Sequence, residues 1–177
     1  YPVGFTPRFG QDDNDFSLTS GIRSASEGAF SYDLSASYGR NQIEYFMSNS
    51  INASLGSASP TSFDIGTLTQ KEFNLNADFA YLVSLDFLAD DLTFAFGAER
   101  RNEDYEIGHG EYASYAVGPL AEEGFPSGSN GFPGFSPDQS GSSDQTSYAA
   151  YVDVEVPVMD RWTIGAAVRY EDFSEFG

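Results

Sequence analysis

The residues able to do chemistry are few and scattered. His109 is the only histidine and sits between Gly108 and Gly110. It could touch a metal complex, but a metal site needs several ligands at fixed spacing, and no partner lies near it in sequence. There is no cysteine, so disulfides, thiolate catalysis and zinc–thiolate sites are excluded. Asp12, Asp13, Asn14 and Asp15 offer hard oxygens of the kind calcium takes, without the spacing of an EF-hand loop. The reading that fits them better is a solvated loop end. The run from Gly134 to Asp138 places Ser136 after Phe135 but lacks the closing glycine of a nucleophile elbow. Gly108 and Gly110 supply two glycines of a dinucleotide fingerprint without the third or the following helix. Asn52, Ala53 and Ser54 match a glycosylation sequon, which carries little weight here. No enzymatic chemistry and no cofactor are expected. Ligand contacts, if the chain makes them, fall to Tyr112, Tyr115, Phe125, Phe132 and Phe135, with His109 beside them. These rings could stack on a small molecule or pack their own loop against its neighbours, and the sequence leaves both readings open.

The elements that would position these residues are strands. Apolar residues recur at every second position in six stretches, near 15–23, 30–40, 67–82, 92–107, 146–158 and 162–170. The second is the clearest: Phe30, Tyr32, Leu34, Ala36 and Tyr38 alternate with Ser31, Asp33, Ser35 and Ser37. A helix would scatter that set around its circumference, whereas a strand puts it on one face. The same face takes Phe16, Leu18 and Ile22, then Phe73, Leu75 and Phe79, then Leu92, Phe94 and Phe96. It ends with Tyr148, Val152 and Val154, followed by Trp162, Ile164 and Val168. The opposite face carries Asp33, Asp78, Glu99, Arg101, Asp153, Glu155 and Arg169. We expect Glu99, Arg101, Asp153, Glu155 and Arg169 to balance one another as a hydrated, ion-paired wall.

Link lengths alternate as well. Short links at 24–29, 83–91 and 159–161 separate long loops at 41–66 and 108–145. Ile43, Tyr45 and Met47 could extend the second strand into the first long loop. The second long loop is rich in Gly, Pro and Ser, and a loop of that length is either functional or disordered; its Phe125, Phe132 and Phe135 favour a partly packed loop over a plain Gly/Ser linker. Short turns at one end and long loops at the other are the habit of outer-membrane barrels. Outward aromatics near strand ends fit an interface girdle: Phe30, Tyr81 and Trp162 at one end, Tyr38 and Tyr170 towards the other. On the fourth strand Arg100, Asn102 and Asp104 follow Ala98 on the apolar side, which marks the passage from hydrocarbon to water. A lipid-facing Arg or Lys near mid-bilayer would cost about 2–4 kcal/mol.

Composition agrees. The 177 residues suffice for one domain, and 27 acidic against 8 basic residues give a net charge of −19, with Lys71 the single lysine. That balance excludes nucleic acid as a partner, since there is no basic patch to neutralise phosphates. With 16 Phe and 11 Tyr the chain is too aromatic for a disordered acidic segment. No stretch is long and apolar enough for a membrane-spanning helix, which leaves strands as the only means of crossing. The fold class is therefore all-β: antiparallel, up-and-down strands forming part of a transmembrane β-barrel wall. A soluble or cell-surface β-rich binding module, with its apolar faces packed together, would show the same alternation.

Several segments resemble the barrel of TonB-dependent outer-membrane receptors. They are Tyr1-Pro-Val-Gly-Phe-Thr-Pro-Arg-Phe-Gly10 with the strand at 15–23, Phe96-Gly-Ala-Glu-Arg-Arg-Asn-Glu-Asp-Tyr-Glu-Ile107, and Ser127-Gly-Ser-Asn-Gly-Phe-Pro-Gly-Phe-Ser-Pro137. The strongest is Ser147-Tyr-Ala-Ala-Tyr-Val-Asp-Val-Glu-Val-Pro157 followed by Arg169-Tyr-Glu-Asp-Phe-Ser-Glu-Phe-Gly177. Across 1–177 the resemblance implies part of a barrel of about 22 strands around a plugged lumen, in the outer membrane of a Gram-negative bacterium. It implies import of a scarce nutrient such as a ferric siderophore, cobalamin or an oligosaccharide. The implied partners are outer-membrane lipid, the plug and remaining strands of the receptor, a small-molecule ligand, and TonB through the parts this chain does not contain. The chain shows no plug, no TonB box and no closing strand, so we expect a segment of a longer polypeptide. Six strands alone would leave two open edges through which copies could self-associate.

Overall fold

The computed structural model describes residues 4–24 and 28–174. Most of them lie in six strands: β1 (Arg8–Arg23), β2 (Phe30–Ser48), β3 (Ser62–Val83), β4 (Leu92–His109), β5 (Gly141–Met159) and β6 (Trp162–Phe173). All six form one sheet in the order β1-β2-β3-β4-β5-β6, so every neighbour in sequence is a neighbour in space. This is the all-β, up-and-down architecture that alternation and link lengths predict.

The strands are longer than the apolar alternation alone marks, running to 22 residues in β3. About 9–11 residues suffice to cross a bilayer. β1 begins at Arg8, so Asp12, Asn14 and their neighbours Asp13 and Asp15 lie within a strand rather than in a loop end. Strand geometry then sends alternate members to opposite faces, which is unsuited to gripping one ion. β2 continues through Ile43, Tyr45 and Met47 as expected. Past the alternating stretches the backbone ladder goes on pairing while the side chains no longer alternate, and there the sequence signal fades.

The links are correspondingly compact. Between β3 and β4 a turn closes with Leu88 N–H donating to Leu85 O and the Ser84 hydroxyl to Asp91, 2.5 Å away. β5 and β6 meet in a tight hairpin whose register pairs Tyr151 with Arg169, Asp153 with Ala167 and Val154 with Ala166. The register slips between Pro157 and Met159, where proline has no N–H to give the ladder. Of the first short link, Ala25 to Glu27 lie outside the described residues.

The chain forms two compact units. One comprises 1–16, 40–71 and 104–143; the other comprises 17–39, 72–103 and 144–177. The first has a small core of Met47, Phe63 and Ile65, against which Tyr45 and Ala113 pack. The second has an aromatic row instead: Phe30 stacks near Phe79 at 6.1 Å, Phe79 on Phe96 at 5.1 Å, and Phe96 lies 5.6 Å from Phe94. These rings come from β2, β3 and β4, and all belong to the apolar set read from the sequence.

Candidate functional site

The loop aromatics belong to the first unit, and the residues around them explain their placement. After β4 the chain enters one helical turn, α1 (Tyr112–Tyr115), then two 3-10 turns, Pro119–Glu123 and Pro137–Gln139. A third 3-10 turn, Ala53–Ala58, follows β2 and packs against the 119–123 turn. Asn52 holds these pieces together. Its side chain is fully buried. Its amide donates to the carbonyls of Ala113 and Ala116, both at 2.9 Å. Its Oδ1 accepts from the Ser54 hydroxyl at 2.7 Å and from Ser54 N–H at 3.2 Å. Ser54 Oγ in turn accepts from Gly118 N–H at 2.8 Å.

Further on, the Ser50 hydroxyl donates to Asn130 O, and Asn130 N–H donates back to Ile51 O. Ser114 O accepts the N–H groups of both Ser129 and Gly134, each at 2.9 Å. Phe135 N–H donates to Ile65 O and Gly110 N–H to Phe135 O, stitching the returning loop to the start of β3. Buried polar groups are stable only when paired, and here each buried side-chain nitrogen and oxygen among the described residues has a partner. The glycines serve this closeness. A Cβ at Gly134 would run into the Ser114 side chain, and one at Gly118 into the Ser54 carbonyl. The 110–140 link is thus an ordered cap cemented by polar groups.

Within the cap the predicted ligand residues separate. Phe132 lies 5.1 Å from Phe9 and 6.2 Å, edge-on, from Phe135, while Phe135 meets Tyr45 edge-on at 6.4 Å. Phe9 stacks on Tyr45 at 5.3 Å. These two loop rings therefore pack the cap against β1 and β2. Tyr112 and Tyr115 touch each other edge-on at 5.7 Å, with Tyr112 two-thirds exposed. Phe125 is half exposed. His109, at the end of β4, holds its Nδ1 2.8 Å from Gly110 O and lines a hollow of about 610 Å³ beside Lys71 and Tyr105. Among the described residues no three His, Asp or Glu side chains gather as a metal site. The sequon fails physically, because an Asn52 amide with no exposed surface cannot receive a glycan. Sequence reasoning missed Asn52 as the organiser of the cap. The available signal was its short polar side chain just ahead of a helical turn, where Oδ1 caps the first free N–H.

In the second unit the polar face carries a ladder of charges. Arg101 reaches Glu99 Oε1 at 2.9 Å and Arg169 reaches Glu99 Oε2 at 3.2 Å. Arg169 also pairs with Glu171 at 3.1 Å, and Arg101 Nε donates to Asn74 Oδ1 at 3.2 Å. Asn74 donates onward to Glu72. The Tyr151 hydroxyl donates to Asp78 at 2.7 Å by passing over Gly97, where a Cβ would stand 2.5 Å from the Tyr151 ring. The expected wall is present in Glu99, Arg101 and Arg169. Asn74, Glu72 and Glu171 join it, while Asp153 and Glu155 form no ion pair among the described residues.

The other face of this unit is bare. Leu18 and Ile22, Leu34, Phe73 and Leu75, Phe94, Val152, then Ile164 and Val168 are all exposed, and all share the apolar parity. No second layer of described residues covers them. A sheet with one exposed apolar face and one ion-paired polar face is the wall of a membrane-spanning β-barrel. The sequence profile of the TonB dependent receptor-like β-barrel matches residues 2–177, and the chain belongs to that family. No curated protein matches it. The family is one of outer-membrane transporters rather than enzymes.

Proposed function

We propose that this chain forms a segment of the β-barrel of a receptor in a Gram-negative outer membrane, one that imports a small nutrient of the class of ferric siderophores, cobalamin or oligosaccharides. The exposed apolar face carries this reading. Ile22, Ile164 and Val168 are each about 59–70% exposed on the same side of the sheet, whereas a soluble sandwich would bury that side. The polar face supplies hydrated, paired charges suited to an aqueous interior. Tyr112, Phe125 and His109 are exposed, and so is Phe132, but Phe132 packs on Phe9; the first three are the proposed ligand contacts. The remaining strands, the plug and the coupling to TonB are proposed to come from outside these 177 residues.

Trp162, the single tryptophan, tests the orientation because it sits on the apolar face at 69% exposure. In phospholipid vesicles its emission should shift to the blue. Lipids brominated on their acyl chains should quench it, and aqueous iodide should not. Quenching by iodide alone would turn the apolar face away from lipid and end the proposal. Import itself is read by growth of a strain lacking the gene on each nutrient class as sole source. Unimpaired growth on all three would remove the assigned cargo.

A further inference from the structure

Arg100 stands where the apolar side of β4 gives way to polar residues, and its surroundings point to a ligand. It follows Leu92, Phe94, Phe96 and Ala98 on the apolar side of β4, and in the 17–39, 72–103, 144–177 unit no other Arg or Lys occupies an outward strand position. Its neighbours on the polar face, Arg101 and Arg169, are both paired with Glu99. Arg100 has no carboxylate within ion-pair distance among the described residues, and its guanidinium carbon lies 6.0 Å from the centre of the Tyr148 ring. An aromatic ring holds a guanidinium in place without neutralising it.

Beside this cation runs a groove of about 600 Å³ on the same unit, within the range of roughly 300–1,000 Å³ typical of small-ligand sites. Ala36, Ala77 and Ala98, three small residues on successive strands, line it. The larger Ile22, Leu34 and Leu75 line it too, as do Arg100 and Tyr148. We propose that this groove binds an anionic phospholipid, its acyl chain lying over the three alanines and its phosphate held by Arg100. The inference rests on the membrane reading above and adds a specific lipid contact to it.

Charge decides the occupant. A guanidinium matches phosphate oxygens in a planar, two-pronged contact. The chain as a whole carries −19, so it repels a soluble anion arriving from water. A lipid is already concentrated in the membrane beside the apolar face, and its chain contributes burial that inorganic phosphate lacks.

The full chain, freed of lipid in a neutral detergent, is offered phosphatidylglycerol or phosphatidylcholine with identical acyl chains, and bound lipid is counted by native mass spectrometry. The anionic lipid should be retained about fivefold better, the effect of one interfacial Arg. Arg100→Gln should bring that ratio to about one, whereas Arg161→Gln in the β5–β6 turn should leave it alone. Ala98→Leu keeps every charge and fills the groove, so it should lower retention of both lipids; this variant carries the test if Arg100→Gln does not fold. Millimolar inorganic phosphate should not displace the lipid. An unchanged ratio in Arg100→Gln, an equal loss in Arg161→Gln, full retention in Ala98→Leu, or displacement by phosphate overturns the site. If the membrane reading itself fails, the chain will be monodisperse without detergent and retain neither lipid, a different result from binding both without preference.

Discussion

Two adjacent alanines on β6 put the orientation of the sheet to a quantitative test. Ala166 has the parity of Trp162 and Tyr170, four residues from each, and pairs with Val154. At about 3.3 Å per residue it sits roughly 13 Å from both aromatics, near the middle of the apolar band. Ala167 has the opposite parity and pairs with Asp153. Ala166→Arg therefore places a guanidinium against hydrocarbon, at a cost of about 2–4 kcal/mol. Ala167→Arg places it among polar groups and across from a carboxylate, for a gain of about 0.2–1 kcal/mol. The two variants have the same composition and charge, and helix or strand propensity does not distinguish them. Their folding equilibria should differ by at least about 2 kcal/mol, or roughly 30-fold. Urea titration in lipid vesicles, followed by Trp162 fluorescence, measures it. Equal destabilisation, or greater damage from Ala167→Arg, would refute the assignment of faces.

Other expectations come from the cap and the ladder. Asn52→Ala removes four hydrogen bonds and leaves Ala113 O without its side-chain partner; Ser54 N–H keeps Pro126 O. With about 1–3 kcal/mol for an orphaned buried group and about 1 for the bonds lost with it, local opening should become easier by about 3 kcal/mol, roughly a hundredfold, read as faster amide exchange at Gly118 and Ser129. Gly97→Ala forces a Cβ to within 2.5 Å of Tyr151 and should destabilise by about 1–3 kcal/mol in urea unfolding; adding Tyr151→Ala should relieve part of that, giving a non-additive double-mutant cycle. Glu99→Gln weakens both Arg contacts, but with Arg101 and Arg169 about 40% exposed the loss should stay within about 1 kcal/mol and vanish at high salt, as thermal melts at two ionic strengths will show.

The sheet was legible because its signal is a strict period of two. Phe30, Leu34 and Tyr38 mark a face by spacing alone, and the Trp162–Tyr170 stripe does the same. Strand ends were less legible. From Arg8 to Asn14 and from Arg40 to Ser48 the backbone still pairs, but the surroundings no longer sort side chains by polarity. The cap was the least legible part. Gly, Ser and Pro from 108 to 145 suit a flexible linker by composition, and only Phe125, Phe132 and Phe135 point to a partly packed loop. In the structure Gly118 and Gly134 are close-approach positions, and Ser50, Ser54, Ser114 and Ser129 are buried at no more than 2% exposure. Small polar residues hide such packing, because their burial is secured by hydrogen bonds whose partners lie at no fixed spacing, 3 positions away for Ser114, 15 for Ser129, 64 for Ser54 and 80 for Ser50. The ion ladder stands between these cases. Parity put Glu99 and Arg169 on one face, but only the register of the sheet could bring them to 3.2 Å.

The chain keeps two kinds of order apart, and the separation bears on what each unit can do. In the 17–39, 72–103, 144–177 unit apolar residues such as Ile22, Ile164 and Val168 are exposed while Glu99 pairs with Arg101 and Arg169, an arrangement suited to an apolar outer medium. In the 1–16, 40–71, 104–143 unit a few apolar residues form a core around Met47 and Ile65, and saturated polar groups bind the rest, an arrangement that water does not penalise. A cap held by Asn52, Ser54 and Ser114 loses little by exchanging exposed rings such as Tyr112 and Phe125 for others, since neither ring supports the hydrogen-bond frame. Variation in ligand can therefore be accommodated at those positions without touching the frame, whereas the same freedom is denied to Phe132 and Phe135, which fasten the cap to β1 and β2. Tyr112→Ala and Phe125→Ala should accordingly leave amide exchange in the cap unchanged while Phe135→Ala accelerates it. Acceleration by all three alike would mean that the exposed rings support the cap and are not free to serve a ligand.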